Sequence, residues 1–220
     1  RVLNLLAQEY MLNARESDAR PLVVAALTMD PANKESRQLL MNTYSAPAQR
    51  LEYAALKPLT REAGTEILAA DDAGKSGLAG LDATYKGTAP YELALVDLEH
   101  VEADVLNALP DLRPGDKAAT HTAAAIADAR AAVQADPKDM AAARQLAQFL
   151  YADQDYAAVC AVADQLVKDK VFNPDVTVLA AKATLADATA QPDVAARNGA
   201  AEARLKAFLK DQPQKAPVLA

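Results

Sequence analysis

Tryptophan is absent from this chain, and cysteine occurs once, at Cys160. A single cysteine excludes an internal disulfide and points to no redox compartment. Aromatic residues make up 5% of 220 positions, glycine occupies seven, and histidine occurs only at His100 and His121. No apolar run approaches the roughly 20 residues that a membrane-spanning helix needs. No cluster of lysine and arginine stands out, and the formal net charge is −7. Both facts argue against nucleic-acid binding through phosphate neutralisation. The chain opens at Arg1, already inside a helical pattern and without a signal-peptide pattern, so we expect a mature or excised piece of something longer.

What fills the space is alanine, 53 residues of 220. Alanine has the highest intrinsic helix propensity, and its small side chain lets helices approach closely. The expectation is an all-α protein with enough apolar content for a sizeable core or for a run of small repeats.

The repeat signal decides between those two. Leu3, Leu6, Ala7 and Tyr10 recur at helical spacing, a polar break follows at 14–17, and Ala19, Val23, Ala26 and Leu27 form a second stripe. Asp30-Pro31 ends it, because proline cannot continue a helix interior. The same phrase returns at Asp136-Pro137, 106 residues after Pro31. It returns again in the segment ending at Pro174, with Leu146, Ala147, Tyr156, Val159, Ala163 and Leu166. A further unit carries Val176, Leu179, Ala180, Leu205, Phe208 and Pro213, with an insertion near 190–199, and residues 34–56 give a partial unit with Leu40 and Tyr44.

These residues resemble the tetratricopeptide repeat, a helical hairpin of about 34 residues. Leu3, Leu6, Ala7, Tyr10, Ala19, Val23, Ala26 and Pro31 match its large, small, aromatic and proline places in order. The turn glycine is replaced by Ala14. The resemblance implies about ten helices stacked as hairpins in a curved solenoid. Hairpins would occupy 1–70 and 90–213, an irregular insertion 71–89, and a tail 214–220. The stretch 58–115 departs from the repeat. Within it, 65–70 reads as helix, and 71–90, with Gly74, Gly77, Gly80 and Gly87, as a loop with one short turn at most. Residues 91–109 read as a long amphipathic helix and 109–117 as another loop.

Several residues suggest chemistry. Gly74-Lys75-Ser76 resembles the end of a phosphate-binding loop, but the first glycine of that motif falls on Ala69 and no strand precedes it. His100 has Asp97 and Asp104 on one helix face, a spacing that metal ligands share and a solvated face explains equally. His121, at a helix start, is expected at the surface. Cys160 sits on an apolar stripe, as a packing residue would. Asp71-Asp72 and Asp153/Asp155 read as capping residues of turns. We assign no catalytic residue, cofactor or metal.

The resemblance implies a peptide-binding face on the first helix of each hairpin. Carried over, it names Asn4, Gln8, Gln38, Asn42, Arg144, Gln148 and Tyr151. Amide side chains both donate and accept, so they suit a peptide backbone. The function expected is protein–protein interaction, an adaptor or scaffold within a larger bacterial-type protein, soluble in cytoplasm or periplasm. The partner would be a protein or peptide, with self-association as a further outcome and neither nucleic acid nor membrane insertion. Two alternatives remain: a self-assembling structural scaffold, and an enzyme accessory domain with a small-molecule pocket near 71–106.

Overall fold

The computed structural model describes residues 1–210; Pro213 and the 214–220 tail lie outside the described residues. Among the described residues there are ten α-helices and no strand. They are α1 (Val2–Leu12), α2 (Glu16–Met29), α3 (Lys34–Ala54), α4 (Arg61–Ala79), α5 (Ala89–Ala108), α6 (Ala118–Ala135), α7 (Met140–Ala152), α8 (Tyr156–Lys168), α9 (Pro174–Ala186) and α10 (Val194–Lys210). A short 3₁₀ turn covers Pro110–Leu112. The helices fall into two compact units, Arg1–Ala135 and Asp136 onward. The division therefore comes after Ala135, not at the 71–89 segment.

The helix starts have a local cause. Asn33, Thr60, Asp139, Asp155 and Asn173 are N-caps whose side-chain oxygens accept backbone N–H groups of the first turn. Each such cap stabilises a helix by about 1 kcal/mol. The tight turns after α1, α7 and α8 each contain one residue in the left-handed region: Ala14, Gln154 and Lys170. Ala14 thus adopts the conformation that the absent turn glycine would supply, at a steric cost that the flanking helices hold in place.

In the first unit, α1 and α2 pair, α3 packs on both, and α5 lies against α3, α4 and α6. Contacts from these three helices bury most of α5: Leu93, Val96, Leu98, Val101, Val105 and Leu106 are all buried. Alanines 125, 129 and 132 form the buried stripe of α6, and their small side chains let it approach α5 closely. In the second unit α7, α8 and α9 touch one another pairwise, and α10 packs on α9.

One expectation is overturned here. Residues 71–79 continue α4 without a break, and the irregular segment is 80–88. Gly74 and Gly77 misled because they serve approach, not turning, whereas Gly80 and Gly87 do lie in the irregular segment. A Cβ on Gly74 would sit 2.6 Å from the carbonyl oxygen of Tyr44, and one on Gly77 would collide with the Tyr44 ring. Close contact with α3 outweighs the roughly 1 kcal/mol that glycine costs in a helix interior. Asp71 and Asp72, expected at a turn, are consequently mid-helix.

Gly74→Ala is a direct check, because the obstructing atom is backbone and cannot rotate away. Overpacking of this kind costs about 1–3 kcal/mol. Urea unfolding should show that loss despite alanine's better helix propensity; unchanged or higher stability would contradict the close approach.

Candidate functional site

The first unit buries an ionic cluster where α4, α5 and α6 meet. Asp71 and Lys75 are four residues apart and so share a face of α4; Glu99 and Glu102, three apart, share a face of α5. His121 comes from the first turn of α6, and Arg113 and Asp116 from the connection before it. Glu102 and Asp71 are only 2% and 0% exposed.

Lys75 stands at the centre. Its Nζ lies 2.9 Å from Glu99 Oε1 and 3.2 Å from Asp71 Oδ2, and it donates to Glu102 Oε2. Arg113 donates to the other Glu102 oxygen and, at 2.7 Å, to Asp72 Oδ2. On the far side, His121 Nδ1 is 2.6 Å from Glu99 Oε2 and 3.3 Å from Glu102 Oε2, while its Nε2 is 3.0 Å from Asp116 Oδ1. Asp71 is the exception to this pairing. It is within ion-pair range of Lys75, but among the described residues neither of its oxygens has a hydrogen-bond partner.

Charge is lopsided in this space. Burial pushes the Asp71 carboxyl up to about 7; Lys75 pulls it back, and repulsion from Glu102 and Glu99 adds to the rise. Burial, with Glu92 and Glu99 repelling, pushes Asp128 on α6 up to about 6. Burial works against the charged forms of Lys75 and His121. For Lys75, hydrogen bonds to Glu102 and Glu99 and attraction to Asp71 and Glu99 outweigh it. For His121, hydrogen bonds to Glu99 and Asp116 and attraction to Glu102 and Glu99 do so. Both groups are held above their ordinary values.

These residues revise several expectations. His121, expected at the surface, has 14% of its side chain exposed and faces three carboxylates. Lys75 of the Gly-Lys-Ser motif is a counter-ion inside a helix, with none of the strand-to-helix geometry that a phosphate loop requires. Asp97 accepts a hydrogen bond from Ser45 on α3 at 3.4 Å, whereas His100 is exposed and Asp104 half-buried, 3.8 Å apart. Cys160 sits partly buried, its Sγ 3.5 Å from Thr184 Oγ1. The i,i+4 and i,i+3 acidic and basic pairs were visible in sequence; their convergence with His121 was not, because three helices supply them.

The residues named for a peptide-binding face are placed as follows. Asn4 is buried and accepts from Ser36 at 3.0 Å, which removes it from any open surface. Gln8 bonds Glu35, and Gln38 donates to Asn42 at 2.8 Å. In the second unit Arg144 lies 3.8 Å from Asp175, Gln148 is exposed, and Tyr151 contacts Tyr156 edge to face. That unit also holds a cleft of ≈ 950 Å³ between α8 and α10. Val167, Val171, Ala203, Ala207, Phe172 and Phe208 line it, with Lys168, Lys170 and Arg204 at its edge. The two phenylalanine rings stack at 4.4 Å, and Arg204 bonds Asp164 across it.

Comparison with family models, curated proteins and solved structures returns no match for this chain.

The electrostatics predict a pH dependence with one sign. Asp71 and Asp128 hold protons in the folded chain that the unfolded chain releases above about 4. Their stabilising contribution is complete below that value and is lost as pH climbs through about 6 for Asp128 and about 7 for Asp71. The raised His121 adds a contribution that is complete below about 6.5 and fades above it. Unfolding midpoints should therefore fall as pH rises from about 5 to about 8. A two-unit shift is worth about 3 kcal/mol; solvent screening at the partly exposed Asp128 reduces this to roughly 1 kcal/mol. Asp128→Asn should recover that amount at the upper end of the range, and a flat profile in both proteins would refute the assignment.

Proposed function

We propose that this chain is a protein-interaction module built of tetratricopeptide-like hairpins. The observation that carries the reading is the α8/α10 cleft. Its volume lies in the range of known ligand sites, its walls are apolar, and two stacked aromatic rings line it. Lys168, Lys170 and Arg204 line it and, among the described lining residues, Asp164 is the one acid, in a chain whose net charge is −7. That combination suits an amphipathic helix of a partner, with apolar residues at i, i+3/i+4 spacing on one face and Asp or Glu beside them. The helix order supports the hairpin reading: α1–α3 and α7–α9 each make neighbour and next-neighbour contacts, as stacked hairpins do.

Selection of random peptides displayed on phage tests this. Enriched sequences should combine leucine, isoleucine or phenylalanine at helical spacing with acidic residues. Ala203 and Ala207 are exposed on α10, so Ala203→Glu and Ala207→Glu leave packing intact while placing negative charge on the cleft floor. Each should weaken the selected peptides about tenfold or more, the loss of one desolvated contact cluster. Peptides that bind both variants as tightly as the parent would reject the cleft.

Self-association is the second reading, carried by α1, where Val2, Leu5, Leu6 and Leu12 are 43–83% exposed. Sedimentation equilibrium should then show mass rising with concentration in the parent and not in Leu5→Glu.

A further inference from the structure

We propose that Glu99, Glu102 and His121 form a site for one divalent transition-metal ion of the Zn²⁺ class, held by Glu99 Oε2, Glu102 Oε2 and His121 Nδ1. This goes beyond the interaction reading and does not depend on it.

The geometry is the first argument. One ligand atom from each of the three residues lies within 4.8 Å of the other two. Zn²⁺ bonds nitrogen and oxygen at about 2.1 Å, so neighbouring ligands of a tetrahedral ion stand about 3.4 Å apart. His121 Nδ1 and Glu102 Oε2 already stand 3.3 Å apart. The 2.6 Å contact of Nδ1 with Glu99 Oε2 is a hydrogen bond, and it opens when the ion takes the place of the Nδ1 proton, which leaves to solvent.

The outer contacts are the second argument. A metal-binding imidazole ordinarily gives its other nitrogen to a carboxylate, which sets tautomer and ring orientation. His121 Nε2 is 3.0 Å from Asp116 Oδ1. The outward oxygens of the two ligating carboxylates are fixed as well, Glu99 Oε1 by Lys75 and Glu102 Oε1 by Arg113. The inward oxygens are thereby directed at the imidazole.

Charge is the third. Asp71, Asp72, Glu99, Glu102 and Asp116 face two permanent cations, Lys75 and Arg113. Asp71 is fully buried and aimed at this cluster, with no hydrogen bond to either oxygen among the described residues. The ion brings two positive charges and releases the Nδ1 proton, a net gain of one against the acidic excess. Lys75, which touches Glu102 Oε2, is the competing cation; Asp71, 3.2 Å from it, is the acceptor to which it turns when the ion enters. An imidazole ligand with only two carboxylates selects a Zn²⁺-class ion over Ca²⁺ or Mg²⁺, which require more oxygen ligands.

The test begins with the 220-residue chain freed of metal by chelation. Titration with Co²⁺ should develop the ligand-field absorption of a low-symmetry site at one ion per chain, and Zn²⁺ should displace it. The ¹⁵N resonances of the two histidines report the site without any substitution: Zn²⁺ should shift His121 and leave His100 in place. His121→Gln and Glu99→Gln should each weaken Zn²⁺ by at least about tenfold, and Asp116→Asn by a similar factor through the imidazole. His100→Gln should bind as the parent does. An unmoved His121 resonance, no uptake of either ion, or undiminished binding in folded His121→Gln would overturn the proposal and leave a cluster that takes up protons alone.

Discussion

The half-buried ammonium of Lys75 is the contact on which the centre of the first unit rests. Three carboxylates from two helices converge on it, and the histidine of a third helix closes the far side. Taking such charges out of water is costly, and removing one partner of a buried pair leaves an uncompensated charge worth about 3–5 kcal/mol. The cluster therefore acts as a registry device: α4, α5 and α6 satisfy it in one alignment. Sliding α5 by a single residue would rotate Glu99 and Glu102 by about 100° away from Lys75 and His121.

Around that polar knot, the packing is made by small residues. Glycines at 74 and 77 admit Tyr44, and alanines at 125, 129 and 132 bring α6 close to α5. Close backbone approach lowers the local dielectric and keeps water from the charged groups, which strengthens every ion pair inside. Alanine-rich packing and the ionic cluster thus support one another. The same economy in the second unit yields an open cleft: α10 offers Ala200, Ala203 and Ala207 where larger residues would have filled the space against α8.

The two candidate sites differ in kind. The cluster is closed, charged and precise, suited to a proton or a small cation. The cleft is open, apolar and edged with cations, suited to a helix face. They lie in separate units, and each has its own physical logic.

The helices themselves were legible from sequence because their causes are local. Alanine content, apolar residues at 3.6 spacing, Asn and Asp caps, and prolines after the stripes all act within a few residues. The caps at Asn33, Thr60, Asp139, Asp155 and Asn173 follow those signals; 71–79 does not, because Gly74 and Gly77 answer to Tyr44, which lies about 30 residues earlier in the chain. The sites belong to the same class of long-range decision. Asn4 looked like an open amide until Ser36 covered it, and His121 looked like a surface residue until α5 brought Glu99 and Glu102 to it. Composition and periodicity determined an all-helical chain with small-residue interfaces. Which charges are buried together was decided by the tertiary structure, because burial and ion pairing depend on the distance between side chains from different helices, and no sequence spacing sets that distance.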